Sequence, residues 1–199
     1  MIKESYSQSY QDVFVSSVMG YNGTYLELGA RKAITHNNTY LLEKNYGWRG
    51  VSVELDMRFK TDWKKSGRKN PVVWANALTL NYQELIECYN LEENIDYLSC
   101  DLEPANITFC ALTILIGQQI FPKVITFEHD FYRYRSTDYY KVATDFLNYH
   151  GYKIAVDNVT VKASNQLEEC FFETWYVRND IDFSKTTYQE WKENISRNL

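Results

Sequence analysis

Acidic residues recur at one kind of place in this 199-residue sequence, directly after runs that read as β-strands. Glu27 closes the run from Thr24, Glu54 and Asp56 close the run from Gly50, Asp101 and Glu103 follow the run from Ile95, and Glu128 and Asp130 flank His129 after the run from Lys123. Carboxylates so placed can accept hydrogen bonds from ligand hydroxyls, ligate a hard cation, or take a proton from a reacting group. His129 is the first candidate for a general base, because an unperturbed imidazole titrates nearest neutrality; Asp101 and Glu103 follow it. A histidine hydrogen-bonded to a neighbouring loop is an equally weighted reading of His129. Carboxylate oxygens and one imidazole would also suit Mg²⁺ or Mn²⁺. Spacing alone does not bring these side chains together, so a divalent metal held by Asp101, Glu128 and Asp130 is the minority reading and no metal is assigned. Each acid taken singly also suits a helix cap or a solvated loop.

Gly29, two residues after Glu27, lets the backbone approach a ligand more closely than a side chain would allow. An acid at the end of a second strand, about 20 residues beyond such a glycine, is what the two hydroxyls of a ribose require. Glu54 stands there. Ala33 occupies a position where nucleotide-binding loops usually carry a second glycine, and two cations, Arg31 and Lys32, lie between. An alanine is costly only if its backbone needs a positive φ. The two cations either face an anionic part of a ligand or point to solvent.

The elements that must position these residues alternate between the two periods. Strands are predicted over residues 24–28, 50–55, 71–75, 95–100, 123–128, 152–156 and 171–177. Helices are predicted over 38–45, 57–66, 82–89, 105–119 and 137–150, with Asn81 as an N-cap, Gly47 and Gly151 as stops, and Val142, Phe146 and Tyr149 on one side of the last. This β–α alternation predicts an open, mostly parallel sheet covered by helices on both faces, with an antiparallel pair at the end. Such sheets bind ligands at the carboxyl ends of their strands, which is where the acids lie. With no repeat, linker or low-complexity tract, residues 1–199 read as a single domain, with a core over about 7–179 and a C-terminal tail over 180–199, whose polar end, 189–199, is expected to fray.

Composition narrows the partners. Apolar and charged contents of 45% and 24% are those of a globular protein. A net charge of −5 argues against a general nucleic-acid binder. The only basic run, Lys60, Lys64, Lys65, Arg68 and Lys69, reads as a solvated surface. Cys88, Cys100, Cys110 and Cys170 show no metal-finger spacing and read as reduced, mostly buried thiols. The N-terminus lacks the apolar core of a signal peptide and no segment is long enough to span a bilayer, so a cytoplasmic location is expected. Tyr132, Tyr134, Tyr139 and Tyr140, interleaved with Arg133 and Arg135, read either as a platform on which a sugar stacks or as a partly exposed helix start.

Taken in order, these segments resemble the FkbM-type class I methyltransferases. The resemblance rests on Glu27-Leu28-Gly29-Ala30, Asn37-Asn38-Thr39, Gly47-Trp48-Arg49-Gly50 and Val53-Glu54, then on "IDYLSCDLEPA", "VITFEHD" and "FETWYVRN", with "QSYQDVFV" as lead-in. It implies a Rossmann-like class I methyltransferase fold, a mostly parallel seven-stranded sheet with helices on both faces and a late antiparallel strand. It also implies S-adenosylmethionine (SAM) as cofactor and a small-molecule or carbohydrate-like acceptor methylated on oxygen. By position, Glu27, Gly29 and Ala30 would line the methionine side, Asn38 would fix the loop, and Glu54 would bind the ribose. Asn76 and Ala77 would sit by the adenine, Asp101 and Glu103 would face the sulfonium or the acceptor, and Glu128 and His129 would be close by. The chain departs from the family at Ala33, Lys32 and Pro104. Two other readings stay open: a non-catalytic Rossmann-like binding module with an altered loop, and a binder of another nucleotide with Arg31 and Lys32 on phosphate. The chain is short for the family, which leaves a homo-oligomer completing the site as an expectation.

Overall fold

Runs of β-branched and aromatic residues form the centre of the molecule, as their preference for a pleated, packed surface dictates. The computed structural model describes residues 4–91, 95–133, 138–162 and 168–198; Tyr134 and Arg135 lie outside them. Along the chain come α1 (Gln11–Met19), β1 (Thr24–Leu28), α2 (Tyr40–Tyr46), β2 (Arg49–Glu54), a 3-10 turn (Met57–Phe59) running into α3 (Lys60–Lys65), and β3 (Val72–Trp74). A second 3-10 turn (Ala77–Thr79), α4 (Tyr82–Cys88), β4 (Tyr97–Cys100), α5 (Ala105–Gly117) and β5 (Val124–Glu128) follow. The chain closes with α6 (Tyr139–Tyr149), β6 (Tyr152–Val161), β7 (Cys170–Arg178), β8 (Thr186–Thr187) and α7 (Tyr188–Asn198).

These strands make one eight-stranded sheet in the order β3-β2-β1-β4-β5-β7-β6-β8. The strands β3, β2, β1, β4 and β5 are parallel, while β7 runs antiparallel between β5 and β6. This is the expected mostly parallel sheet with a late antiparallel strand. The eighth strand, a two-residue pairing of Thr186–Thr187 with β6, was not expected.

Strand periodicity divides the core into two layers. Leu26 and Leu28 of β1 pack with Val51 and Val53 of β2 against Tyr82, Leu85, Leu112, Leu115 and Leu147 from α4, α5 and α6. Tyr25, of opposite parity on β1, faces Phe14, Leu41, Leu42 and Trp191 from α1, α2 and α7. Both faces of the sheet are therefore covered, which is why β1, β4 and β5 are buried along their whole length.

One helix was not expected, and three expectations change. Residues 11–19 form a helix that the β-branched sequence does not announce. The tail does not fray: Tyr188 and Trp191 of α7 are buried, with Trp191 edge-on to Trp175 at 5.1 Å. On α6 the buried residues are Ala143 and Leu147, whereas Val142 and Tyr149 are exposed. The cysteines are all unpaired, Cys100 and Cys170 buried, Cys88 and Cys110 exposed. Among the described residues no helix is long and apolar enough to cross a membrane.

Candidate functional site

Strand order reverses between β1 and β4, and the tails of these two strands touch there. Gly29 follows β1 with φ 84°, and a Cβ built on it would lie 1.8 Å from the backbone oxygen of Asp101. Only glycine permits that approach. Above the contact opens a cavity of about 450 Å³, within the ~300–1,000 Å³ usual for small-ligand sites.

One side of the cavity is built from the end of β2. Glu54, 6% exposed, accepts the backbone N–H of Arg31 on Oε2 and that of Asp56 on Oε1, both at 2.6 Å. Its carboxylate is thus fixed at the cavity wall with lone pairs to spare. Beside it Leu55 is 67% exposed, although it lines the cavity with Asn76 and Ala77. Asn76 uses its side chain to cap the following turn through Leu78 N–H at 2.9 Å.

The opposite wall is acidic. Asp101, Glu103, Glu128 and Asp130 all line the cavity. Burial raises Asp101 and Glu128 above the ordinary carboxylate range, Glu128 strongly, and the two carboxyls hydrogen-bond one another. Burial also raises Asp130, with Arg133 opposing. Arg133 Nη1 donates to Glu103 at 3.0 Å and to Asp130 at 3.2 Å. Glu103, Glu128 and Asp130 have oxygens within 4.8 Å of one another. The carboxylate set therefore contains Glu103 where the sequence reading had Asp101, and the Arg133 guanidinium already supplies positive charge to it.

His129 does not join them. Strand alternation sends it to the other side from Glu128 and Asp130. It is 1% exposed, its Nδ1 accepts Phe131 N–H at 3.2 Å, its Nε2 lies 3.3 Å from Thr174 Oγ1, and Phe171 packs edge-on at 4.5 Å. Burial lowers its pKa to about 3. The ring is a neutral packing group away from the cavity, so its assignment as general base is corrected to the hydrogen-bonded reading.

Glu27, Ala30 and Asn38 lie behind the loop and do not line the cavity. Glu27 is fully enclosed, accepting from Ser52 Oγ at 2.6 Å, Thr39 Oγ1 at 3.0 Å, Asn37 Nδ2 at 3.2 Å and Asn38 N–H at 3.2 Å. It braces the loop from beneath instead of facing a ligand. Asn38 Nδ2 donates to Ser99 Oγ at 2.9 Å. Ala30 packs with Ala33 and Trp63.

The loop itself resolves the question of Ala33. Positive φ falls at Arg31 (46°) and His36 (55°), not at Ala33. The Ala33 methyl is buried against Trp63, so alanine fits the backbone and fills a packing position. Arg31 lines the cavity; Lys32 is exposed and does not.

Residues not expected at the site also line it, Gln8 from the N-terminal segment with Val161 and Phe172 on the acidic side; of the described members of the suggested sugar platform, Tyr132 and Arg133 line the cavity and Tyr139 and Tyr140 do not. Arg68 is a further correction. Its side chain is 1% exposed, paired with Glu43 at 2.8 Å and stacked 4.7 Å from Trp63, not solvated as the basic run suggested.

No family profile and no curated protein sequence matches the chain. Solved structures do. The plantazolicin methyltransferase BamL, in complex with a triazolic desmethylPZN analogue and S-adenosylhomocysteine (SAH), is similar at 13% identity over 86% of both chains, TM-score 0.59. A precorrin-6y C5,15-methyltransferase from Geobacter metallireducens is similar at 17% identity over 88% of this chain and 89% of that one, TM-score 0.54. Aeropyrum pernix fibrillarin, with natively bound SAM, is similar at 16% identity over 85% and 76%, TM-score 0.51. The chain has the Rossmann-like fold shared by the class I SAM-dependent methyltransferases.

Proposed function

We propose that this protein is a SAM-dependent methyltransferase of FkbM-like type, acting on an oxygen of a small or carbohydrate-like acceptor. One observation carries the reading: Glu54, at the end of β2, holds its carboxylate at the wall of a cavity that sits where the strand order reverses. That is the position and chemistry a ribose needs. The residues fit the rest of the cofactor. Gly29 keeps the floor free of a side chain, and exposed Leu55 with Ala77 and Asn76 offers an apolar face with a polar edge for an adenine. When bound, SAM supplies an electrophilic methyl group on a sulfonium.

Displacement at such a methyl is in-line, so the protein's share is alignment and a destination for the acceptor's proton. Phe172, Val161 and Tyr132 give the acceptor an apolar wall. With His129 out of reach, the Asp101–Glu128 pair is the group placed to take the proton. Aspartate and glutamate raised by burial are better bases than free carboxylates, which suits them to a hydroxyl.

A second reading is favoured by Arg31. It lines the cavity and has no ion-pair partner among the described residues, which would suit the phosphate of another nucleotide. Calorimetric titration decides between them: micromolar binding of SAM and SAH, lost in Glu54→Ala, is expected. Binding of ADP with neither SAM nor SAH bound would overturn the methyltransferase reading.

A further inference from the structure

The segment between β1 and α2, residues 29–39, carries the contacts on which the cavity depends, yet it has no regular structure of its own. A chain of that length needs side chains to fix it. The side chain that gathers it is Arg68, which lies outside the cavity on the turn after α3. Its Nη1 donates to the backbone oxygen of Ala33 at 3.2 Å and to Asn37 Oδ1 at 2.9 Å. Its Nη2 donates to Thr39 Oγ1 at 2.9 Å and to Tyr25 Oη at 2.8 Å, so the loop is tied to β1. Its Nε donates to Glu43 Oε2 at 2.8 Å, which ties it to α2. The face of the guanidinium lies on Trp63, and Trp63 Nε1 in turn donates to the backbone oxygen of Arg31 at 2.9 Å.

Both routes end on the short backbone stretch from Arg31 to Ala33. Ala33 is held directly and Arg31 through Trp63, and it is the Arg31 N–H that fixes the Glu54 carboxylate. We propose that Arg68 is a positioning residue for cofactor binding, acting on Glu54 through the backbone of Arg31, whose oxygen is held by Trp63 and whose N–H holds the Glu54 carboxylate. The role belongs to a guanidinium, because five donors in one plane match five acceptors spread around it; an ammonium offers a point charge and three donors. The inference rests on Glu54 as the cofactor's ribose ligand.

The test is a cycle on the full chain. SAH affinity is measured by calorimetry for the wild type, Arg68→Lys, Glu54→Gln and the double variant, with amide hydrogen exchange on each free protein. Lys65→Met, on the exposed part of the same basic run, is the control. Arg68→Lys is expected to weaken SAH roughly tenfold, the loss of charge-assisted hydrogen bonds. Exchange should speed up within residues 29–39 while β1 and β4 stay protected. In the Glu54→Gln background the same change should cost clearly less, because the two act in series. Equal losses in both backgrounds, or unchanged SAH affinity and exchange in Arg68→Lys, would overturn the proposal. If Arg68→Lys does not fold, Trp63→Phe replaces it, keeping an aromatic face and removing the bond to Arg31; about a threefold loss is expected, and none overturns the link. A wild type that binds no SAH sinks the cofactor reading and this role with it, and the exchange data then report only whether Arg68 holds the loop.

Discussion

The backbone N–H of Arg31 donates to Oε2 of Glu54 at 2.6 Å, joining the loop after β1 to the last residue of β2. Arg31 takes up a left-handed conformation to make this bond, an arrangement that costs of order 1 kcal/mol for a residue with a side chain. Glu54→Gln keeps one oxygen and loses the charge. It should weaken SAH by roughly 10- to 100-fold, the effect of removing a charged partner from enclosed hydroxyls, with the melting temperature little changed. An SAH affinity within twofold of the wild type would place the ribose elsewhere.

Gly29→Ala tests the crevice itself. The new methyl would meet the Asp101 carbonyl while the backbone is held at φ 84°, which together should cost about 3 kcal/mol or more. For a chain of this size that corresponds to a melting temperature lower by roughly 6–12 °C. A variant as stable as the wild type would mean that the strand tails part at little cost.

Glu173, 1% exposed, is pushed up to about 8 from 4.5 by burial, although Gln11 Nε2 and Trp175 Nε1 donate to it at 2.7 and 3.0 Å. The folded protein therefore holds a proton that the unfolded chain releases near 4.5. Stability from this group is full at low pH and falls as pH rises from about 4.5 through 8. Glu173→Gln should flatten that slope and stand more stable than the wild type at pH 8.5. Urea melts at pH 5.5 and 8.5 give the comparison, and parallel slopes for the two proteins would contradict it.

His129→Ala should separate packing from chemistry. Removing a buried ring of this kind is expected to cost about 2–4 kcal/mol, while SAH affinity and the pH profile of methyl transfer keep their wild-type form. A profile that loses its acidic limb in the variant would return His129 to the reaction as its base.

Transfer should be unaffected by EDTA, since Arg133 already pairs with Glu103 and Asp130 where a cation would sit. A rate lost to the chelator and restored by Mg²⁺ or Mn²⁺ would put a metal among Glu103, Glu128 and Asp130.

Much of the scaffold is legible in the sequence because its strands are buried on both faces and read as continuous apolar runs. The expected β1 coincides with Thr24–Leu28, and Asn81 caps α4 through Glu84 N–H as its residue type predicts. Helix α1 is illegible for the opposite reason. Val13, Phe14, Val15 and Val18 favour a strand, and the helix is imposed by burial and by Asp12, which accepts from Ser5, Tyr6 and Ser7. On α7, Tyr188, Trp191 and Ile195 stand at helical spacing, a signal outweighed by the polar residues between them. At the site, the parity of a strand end decided which of Glu128, His129 and Asp130 face the cavity, and composition does not carry that. Arg68 looked like one cation among five; only the fold brings Tyr25, Thr39 and Glu43 around it.

The antiparallel β7 lies inside the sheet, between β5 and β6, and is contributed by residues 170–178. A ribosome delivers those residues only after β5 and β6 have been made. Until then β5 presents an open edge, with Glu128 and Asp130 at its end unsupported, and an exposed edge of this kind invites pairing with other chains. The acidic wall of the cavity is therefore completed only once β7 has followed β6, and a nascent chain halted between the two leaves the β5 edge open.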